Sequence, residues 1–103
     1  MTDYSALHDA TLQMVQLRWA EGTIRVEVIH VGGGVRRGGA IVGVGVTGIS
    51  CGRAFPWGES QSINDVSLGE RAGTLVLRIE MQSGDEISVQ AKRFSFEEGD
   101  PIP

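Results

Sequence analysis

Four side chains in this sequence are of the types that carry acid–base or nucleophilic chemistry: His8, Asp9, His30 and Cys51. A histidine can act as a general base when a hydrogen-bonded carboxylate orients it. His8 and Asp9 are adjacent, and neighbours in a strand point to opposite faces, so they form such a pair only if the backbone turns between them. Cys51 is expected to be a small buried residue. We therefore predict no catalytic centre and a non-enzymatic protein.

The second histidine, His30, falls on the same strand face as Val28 and near Gln13. This placement predicts a hydrogen-bonded histidine at a strand edge. Two histidines without ligand spacing give no metal signature, so we expect neither a metal nor another cofactor. His8 and His30 are kept as secondary candidates for a binding site.

Gly43, Gly45 and Gly48 match the GxGxxG pattern of dinucleotide-binding proteins. That motif requires a helix directly after it, because the first amides of the helix hold the pyrophosphate. Here Gly52 and Pro56 follow within a few residues and preclude a helix, so no nucleotide is expected. The bare glycine face of this strand instead indicates close approach of another backbone or a large side chain.

The segment 53–64 is the one irregular stretch rich in both aromatic and hydrogen-bonding side chains. Read as structure, it is a crossover whose aromatic residues cover one end of the core, while its polar side chains bond its own backbone. Read as function, it presents an aromatic anchor to a protein or a ligand. Both interpretations stay open. The binding residues predicted within it are Arg53, Phe55, Trp57, Ser60 and Asn64.

Elsewhere the apolar residues alternate as they do in β-strands. Leu12–Trp19 and Thr23–Val31 are predicted to form a hairpin around a two-residue turn that ends at Gly22. This turn would place Trp19 opposite Ile24 and make one face of the hairpin wholly apolar. The apolar pattern changes face near the start of the first strand, which predicts a bulge, a curl, or another part of the chain packed on the outside.

Further strands are predicted at Ala40–Ser50 and Ile63–Leu68. Thr74–Met81 and Glu86–Lys92 form the clearest hairpin, around a three-residue loop with Gly84 in the left-handed position. This loop pairs Ile79 with Ile87, Leu77 with Val89 and Leu75 with Ala91. Phe94 and Phe96 then fall on the other parity, which predicts a bulge or a change of sheet near Lys92.

Two segments are predicted to be loosely held. The glycine-rich stretch 32–39 is interpreted as a mobile connection, and the acidic stretch 97–103 as a loose tail. The fold class that follows is all-β. We predict one domain over residues 1–103, a single antiparallel meander of about six strands that forms a flattened barrel or a small sandwich.

Charge and composition disfavour several classes of binding partner. The formal net charge is −4, and few basic residues stand side by side, which disfavours nucleic acid and anionic membrane surfaces. The longest stretch of low charge, 38–52, is shorter than the roughly 20 residues of a spanning helix. The start of the chain lacks a secretory pattern, and a single cysteine suits a reducing compartment. We expect a cytoplasmic protein.

Three stretches resemble a family of small, uncharacterised bacterial β proteins that open with Phe or Leu followed by His-Asp-Ala. They are Leu7–Ala10 with Leu12, the aromatic-Pro-Trp-Gly segment within 55–64, and Ile79–Asp85. Some proteins with similar openings are immunity-type proteins that neutralise toxins. The resemblance implies a structural role for His8 and Asp9, with Asp9 capping the turn into the first strand.

These observations favour a non-enzymatic interaction module. It would bind another protein, or a second copy of itself, through an exposed sheet face or edge and the segment 53–64. An immunity-type inhibitor is the most specific form of this hypothesis. The alternative is a β protein that binds a small ligand beside the glycine face of the third strand.

Overall fold

A computed structural model of the chain describes residues 4–32, 34–54 and 61–102. The alternating segments form strands, preceded by one short 3-10 helix, Ser5–Leu7. The strands are β1 (Thr11–Arg18), β2 (Thr23–Gly32), β3 (Val35–Val44), β4 (Gly48–Cys51), β5 (Ile63–Arg71), β6 (Thr74–Met81), β7 (Glu86–Ala91) and β8 (Arg93–Pro101).

The strands form two four-stranded antiparallel sheets, in the orders β1-β2-β3-β8 and β4-β7-β6-β5. Apolar side chains from both sheets meet in one core, which includes Val26 and Ile41 of the first sheet and Leu77 and Ile79 of the second. The prediction of an all-β, antiparallel fold is confirmed. The predictions of a single six-stranded meander and of a barrel are wrong, because the described residues form eight strands in two sheets and neither sheet closes into a barrel.

The strand count differs because long segments pass from one sheet into the other. The predicted third strand runs as β3 in the first sheet and resumes as β4 in the second, after a bend at Gly45, where φ is 72°. β7 and β8 make the same passage at Lys92, whose N–H donates to the Val44 carbonyl at 3.0 Å. Of the two alternatives predicted from the parity of Phe94 and Phe96, a bulge or a change of sheet, the structure has the change of sheet.

The hairpin of β6 and β7 has the register that the sequence predicts. Ile79 pairs with Ile87 and Leu77 with Val89, and Gly84 takes a φ of 94°. A short turn with one glycine in the left-handed region leaves few alternative pairings for the flanking strands. Local spacing is therefore sufficient to fix this part of the fold.

The predicted register of the hairpin β1–β2 is wrong by two residues. Ile24 lies opposite Leu17 rather than Trp19, because the chain turns over residues 19–22 instead of two residues. Gly22 has the expected positive φ, 64°. Since the shift is even, the other side chains keep their faces, whereas Trp19 moves into the turn and is 88% exposed.

Both segments predicted to be loose contain paired strand residues. Within 32–39, Gly32 pairs with Val35, and the residues from Val35 onward belong to β3. Within 97–103, the residues as far as Pro101 belong to β8, which pairs with β3. β3 thus has a neighbour on each side, and hydrogen bonds to both neighbours offset the entropy that its glycines lose.

The bare glycine face of β3 packs against large side chains, as the sequence predicts. A Cβ atom at Gly43 would lie 2.8 Å from Ile24 and 2.9 Å from Phe94. At Gly39 it would meet the ring of Phe96. The glycines therefore make room for the aromatic residues of β8, which form part of the wall of the core.

Tyr4 fills the core beside the 3-10 helix. Its side chain is 4% exposed, and its phenol oxygen has no hydrogen-bond partner among the described residues. Burial raises the pKa of Tyr4 above its ordinary value of 10.0, because the phenolate would lose its hydration. The native state therefore holds this proton more tightly than the unfolded chain. The resulting stability is fully present below about pH 10 and is lost as the pH rises through the folded pKa.

Near neutral pH we expect Tyr4→Phe to equal or exceed the wild type in free energy of unfolding, because the substitution removes a buried hydroxyl without a partner. Above about pH 10 the wild type should lose stability relative to the variant. Urea titrations at about pH 7 and about pH 11 measure this difference. Tyr4 is the one tyrosine of the chain, so phenolate absorbance reports its pKa directly. If wild type and Tyr4→Phe lose the same free energy of unfolding between the two pH values, the expectation is contradicted.

Candidate functional site

Within the described residues, one side of β1 lacks a neighbouring strand over most of its length. β1 pairs with β2 along its other side. On the open side the first two residues meet the segment before β5: Thr11 bridges Ser62, and the Leu12 N–H donates to the Gln61 carbonyl at 2.8 Å. No strand of the described ranges pairs with the remainder. We call this remainder, Gln13–Arg18, the free edge.

Charge distinguishes the free edge from the other sheet edges, which are β4, β5 and β8. Seven charged residues stand on β5 and β8: Asp65, Glu70, Arg71, Arg93, Glu97, Glu98 and Asp100. Charged side chains and proline protect edge strands from pairing with other chains, and β8 also contains Pro101. β4 has only four residues. The free edge carries a single charge, Arg18, and is the least protected of the long edges.

Exposed apolar side chains flank the free edge. Met14 is 43% exposed, Trp19 directly after the edge is 88% exposed, and Ile49 on β4 is 40% exposed. Trp19 and Ile49 line a groove of about 490 Å³ together with Leu17 and Val46, which we call the Trp19 groove. Exposed aromatic residues beside apolar grooves are frequent anchors in protein interfaces.

A second cavity, of about 270 Å³, opens at the start of the free edge, and we call it the Arg53 cleft. Leu12 and Val15 of β1 form part of its apolar wall, while Cys51, Arg53 and Asp85 contribute polar groups. The expectation of a buried Cys51 is wrong. Its thiol is exposed and free, because β4 is an edge strand.

A buried carboxylate fixes one side of the Arg53 cleft. Asp85 is 7% exposed. One oxygen accepts the N–H of Ala54 at 2.7 Å, and the other accepts the hydroxyl of Ser83 at 2.9 Å. The turn before β7 thus holds the chain that leaves β4. Sequence reasoning treated 82–84 only as a turn, although Ser followed two residues later by Asp is a common turn-bonding pattern.

The structure separates the predicted binding residues. Arg53 lies on the cleft that bears its name, whereas Asn64 lies on β5, where its Nδ2 donates to Glu80 at 2.8 Å. Asn64 is not part of the wall of the cleft. The other three predicted residues, Phe55, Trp57 and Ser60, lie outside the described residues.

The secondary candidate His8 does meet Asn64. The His8 Nδ1–H donates to the Asn64 carbonyl, and Nε2 lies 3.6 Å from the carboxylate of Asp9. The backbone turns between the two residues, since Asp9 has a φ of 68°. Asp9 also accepts a hydrogen bond of 2.5 Å from Gln82. This exposed cluster links the 3-10 helix to β5 and to the turn after β6.

His30 is positioned by β8 rather than by Gln13. Its side chain is 11% exposed, and Nε2 lies 3.0 Å from the Glu98 carboxylate, close enough for an ion pair but not at a hydrogen-bonding angle. The ring packs edge-on against Phe96, with centroids 5.6 Å apart. The expected edge position is wrong, because β2 is an interior strand with β3 beside it.

Other types of site receive no support within ranges 4–32, 34–54 and 61–102. No group of three or more His, Cys, Asp or Glu side chains there is arranged to hold a metal ion, and no helix there is long and apolar enough to cross a membrane. Comparison with models of known protein families finds no match. A search of curated proteins likewise finds no similar chain.

Proposed function

We propose that the protein is a non-enzymatic interaction module that accepts an extended strand of a partner protein on its free edge. The observation that carries this proposal is the low charge of Gln13–Arg18, beside three edges that are short or charged. The outward-pointing backbone groups of an edge strand pair readily with another strand. Such pairing supplies affinity without requiring a deep pocket.

The apolar side chains beside the edge would supply specificity. A strand laid along the free edge reaches Met14 on the outer face of the sheet and the Trp19 groove at its end. Removal of a large aromatic anchor typically costs 2 kcal/mol or more in binding, on the order of 30-fold in affinity. The most specific form of this proposal, an immunity-type inhibitor, depends on the sequence resemblance. A cytoplasmic location stays part of the proposal, in keeping with the free thiol of Cys51.

The second candidate function is binding of a small ligand in the Arg53 cleft. An apolar wall with a few polar groups is typical of ligand sites, although their volumes usually begin at about 300 Å³. Against this candidate, both carboxylate oxygens of Asp85 already accept hydrogen bonds from the protein. The free edge, whose outward side has no partner strand in the described ranges, is the better supported site.

A quantitative pull-down from lysate of the source organism tests the proposal with four folded baits: wild type, Gln16→Lys, Trp19→Ala and Gln90→Lys. Gln16 is exposed in the middle of the free edge, so a lysine there should weaken a strand-pairing partner at least about tenfold. Gln90 is the matched control, because it is an exposed glutamine on the interior strand β7. A partner that binds Gln16→Lys as tightly as wild type would contradict the proposal.

A further inference from the structure

We infer that the strand received by the free edge belongs to a second copy of this chain, paired antiparallel across a two-fold axis. The inference rests on the proposed function and names its partner. Two copies of the first sheet would join into one sheet of eight strands, with the two β1 strands at its centre. Edge-to-edge pairing of this kind is isologous, because each copy uses the same surface.

The charge distribution along the free edge supports a self-pair. Its sequence, Gln-Met-Val-Gln-Leu-Arg, places neutral residues at the centre and one charge, Arg18, at an end. With the two-fold axis at Gln16, the centre of the regular stretch 14–18, the two arginines lie roughly 14 Å apart along the strands. That separation exceeds the Debye length of about 8 Å at physiological salt. No like charges therefore face each other.

The faces of the edge also match themselves. Val15 and Leu17 point towards the core and are half-buried, so in an antiparallel pair they meet Val15 and Leu17 of the second copy. On the other face Gln16 lies opposite Gln16 of the second copy, and Met14 lies opposite the aliphatic stem of Arg18 of the second copy. A charged partner strand would find only one opposite charge, whereas a second copy offers matching apolar and amide groups.

The bulge between Leu12 and Met14, one of the alternatives that the sequence leaves open, limits the length of the pairing. Only the part of the edge after it continues in regular register, and bulged strands twist away from a regular partner. We therefore expect a weak, concentration-dependent dimer. Its mass should rise from one chain towards two chains between about 1 µM and about 1 mM.

Charge exchange at Gln16 tests the inference by sedimentation velocity. In this register Gln16 of one copy lies directly opposite Gln16 of the other. Gln16→Lys and Gln16→Glu should each weaken the dimer at least about fivefold by like-charge repulsion, and an equimolar mixture should restore a dimer at least as tight as wild type. Gln90→Lys should dimerise as wild type does. Circular dichroism confirms that each variant is folded, and the pair Gln16→Arg and Gln16→Asp repeats the test if one is not.

The outcomes separate this inference from the function on which it rests. A wild-type mass of one chain up to about 1 mM overturns the second copy as partner. If Gln16→Lys then also loses a lysate partner, the free edge binds a different protein and the proposed function stands. A dimer that both single variants leave intact, or a mixture that fails to restore it, places the contact elsewhere and overturns the inference.

Discussion

Leu77→Ala should lower the free energy of unfolding by about 2–5 kcal/mol, the range for truncation of a buried leucine. Leu77 is fully buried at the centre of β6, and it lies between Leu68 on β5 and Val89 on β7. Its removal leaves a cavity where the side chains of both sheets meet. Since a domain of this size is stable by only about 5–15 kcal/mol, the loss is a large fraction of the total.

Leu75→Ala is the matched control for this cavity. Leu75 lies on the same strand and the same face, but it is only half-buried and does not belong to the core cluster. Urea titrations of both variants should therefore show a much smaller loss for Leu75→Ala. If Leu77→Ala does not fold, Ile79→Val tests the same core with an expected loss of about 0.5–1.5 kcal/mol. Equal losses at positions 75 and 77 would contradict the assigned core.

Gly43→Ala is the second substitution with a large expected effect, a loss of about 1–3 kcal/mol through overpacking. The added Cβ would lie 2.8 Å from Cγ2 of Ile24 and 2.9 Å from Cε1 of Phe94. Ile24 is 1% exposed and has little room to move. The substitution therefore forces either β8 or β2 away from β3.

Gly38→Ala separates this clash from the general effect of replacing glycine in β3. A Cβ at Gly38 meets nothing within 4 Å, and its φ is not positive. The free energy of unfolding of Gly38→Ala should equal that of wild type or exceed it by about 0.4–1 kcal/mol, because alanine restricts the unfolded chain. Thermal and urea unfolding of the two variants give the difference. A Gly43→Ala protein as stable as Gly38→Ala would show that the aromatic face of β8 does not pack as closely as described.

The sequence placed the predicted interaction surface only on an exposed sheet face or edge and the segment 53–64. It did not show which strand has an open edge. The alternation of apolar residues in Leu12–Trp19 predicted a strand with one apolar face, and the assumed register placed Trp19 on that face. The turn over residues 19–22 is longer than the two residues assumed, so Trp19 projects from the turn instead. Which strand has an open side depends on sheet order, and alternation does not specify sheet order.

The sequence also did not show which site residues lie close together, because that again depends on how the strands are arranged. His8 and Asn64 are 56 residues apart in the chain and meet through a hydrogen bond from the His8 side chain to the Asn64 carbonyl. Asp85 lies 31 residues from Ala54, whose N–H it accepts. Contacts over such separations depend on how the two sheets pack, so the sequence pattern of either partner alone does not reveal them.

The sequence by itself determined the features that depend on neighbours in the chain. Alternation predicted an all-β fold, the spacing around Gly84 predicted the β6–β7 register, and the parity of Phe94 predicted a bulge or a change of sheet. These features are local, because side-chain direction and turn geometry act over a few residues.

Only the tertiary structure decided that 35–39 and 97–101 are paired strands and that the third predicted strand divides between two sheets. It also decided that, among the described strands, β1 has a neighbour on one side and β3 has neighbours on both. The physical reason is that a strand's composition sets which face it buries, whereas its hydrogen-bonding neighbours are set by the packing of the whole chain. Glycine and charge favour loops locally, but hydrogen bonds to two adjacent strands outweigh that preference in β3.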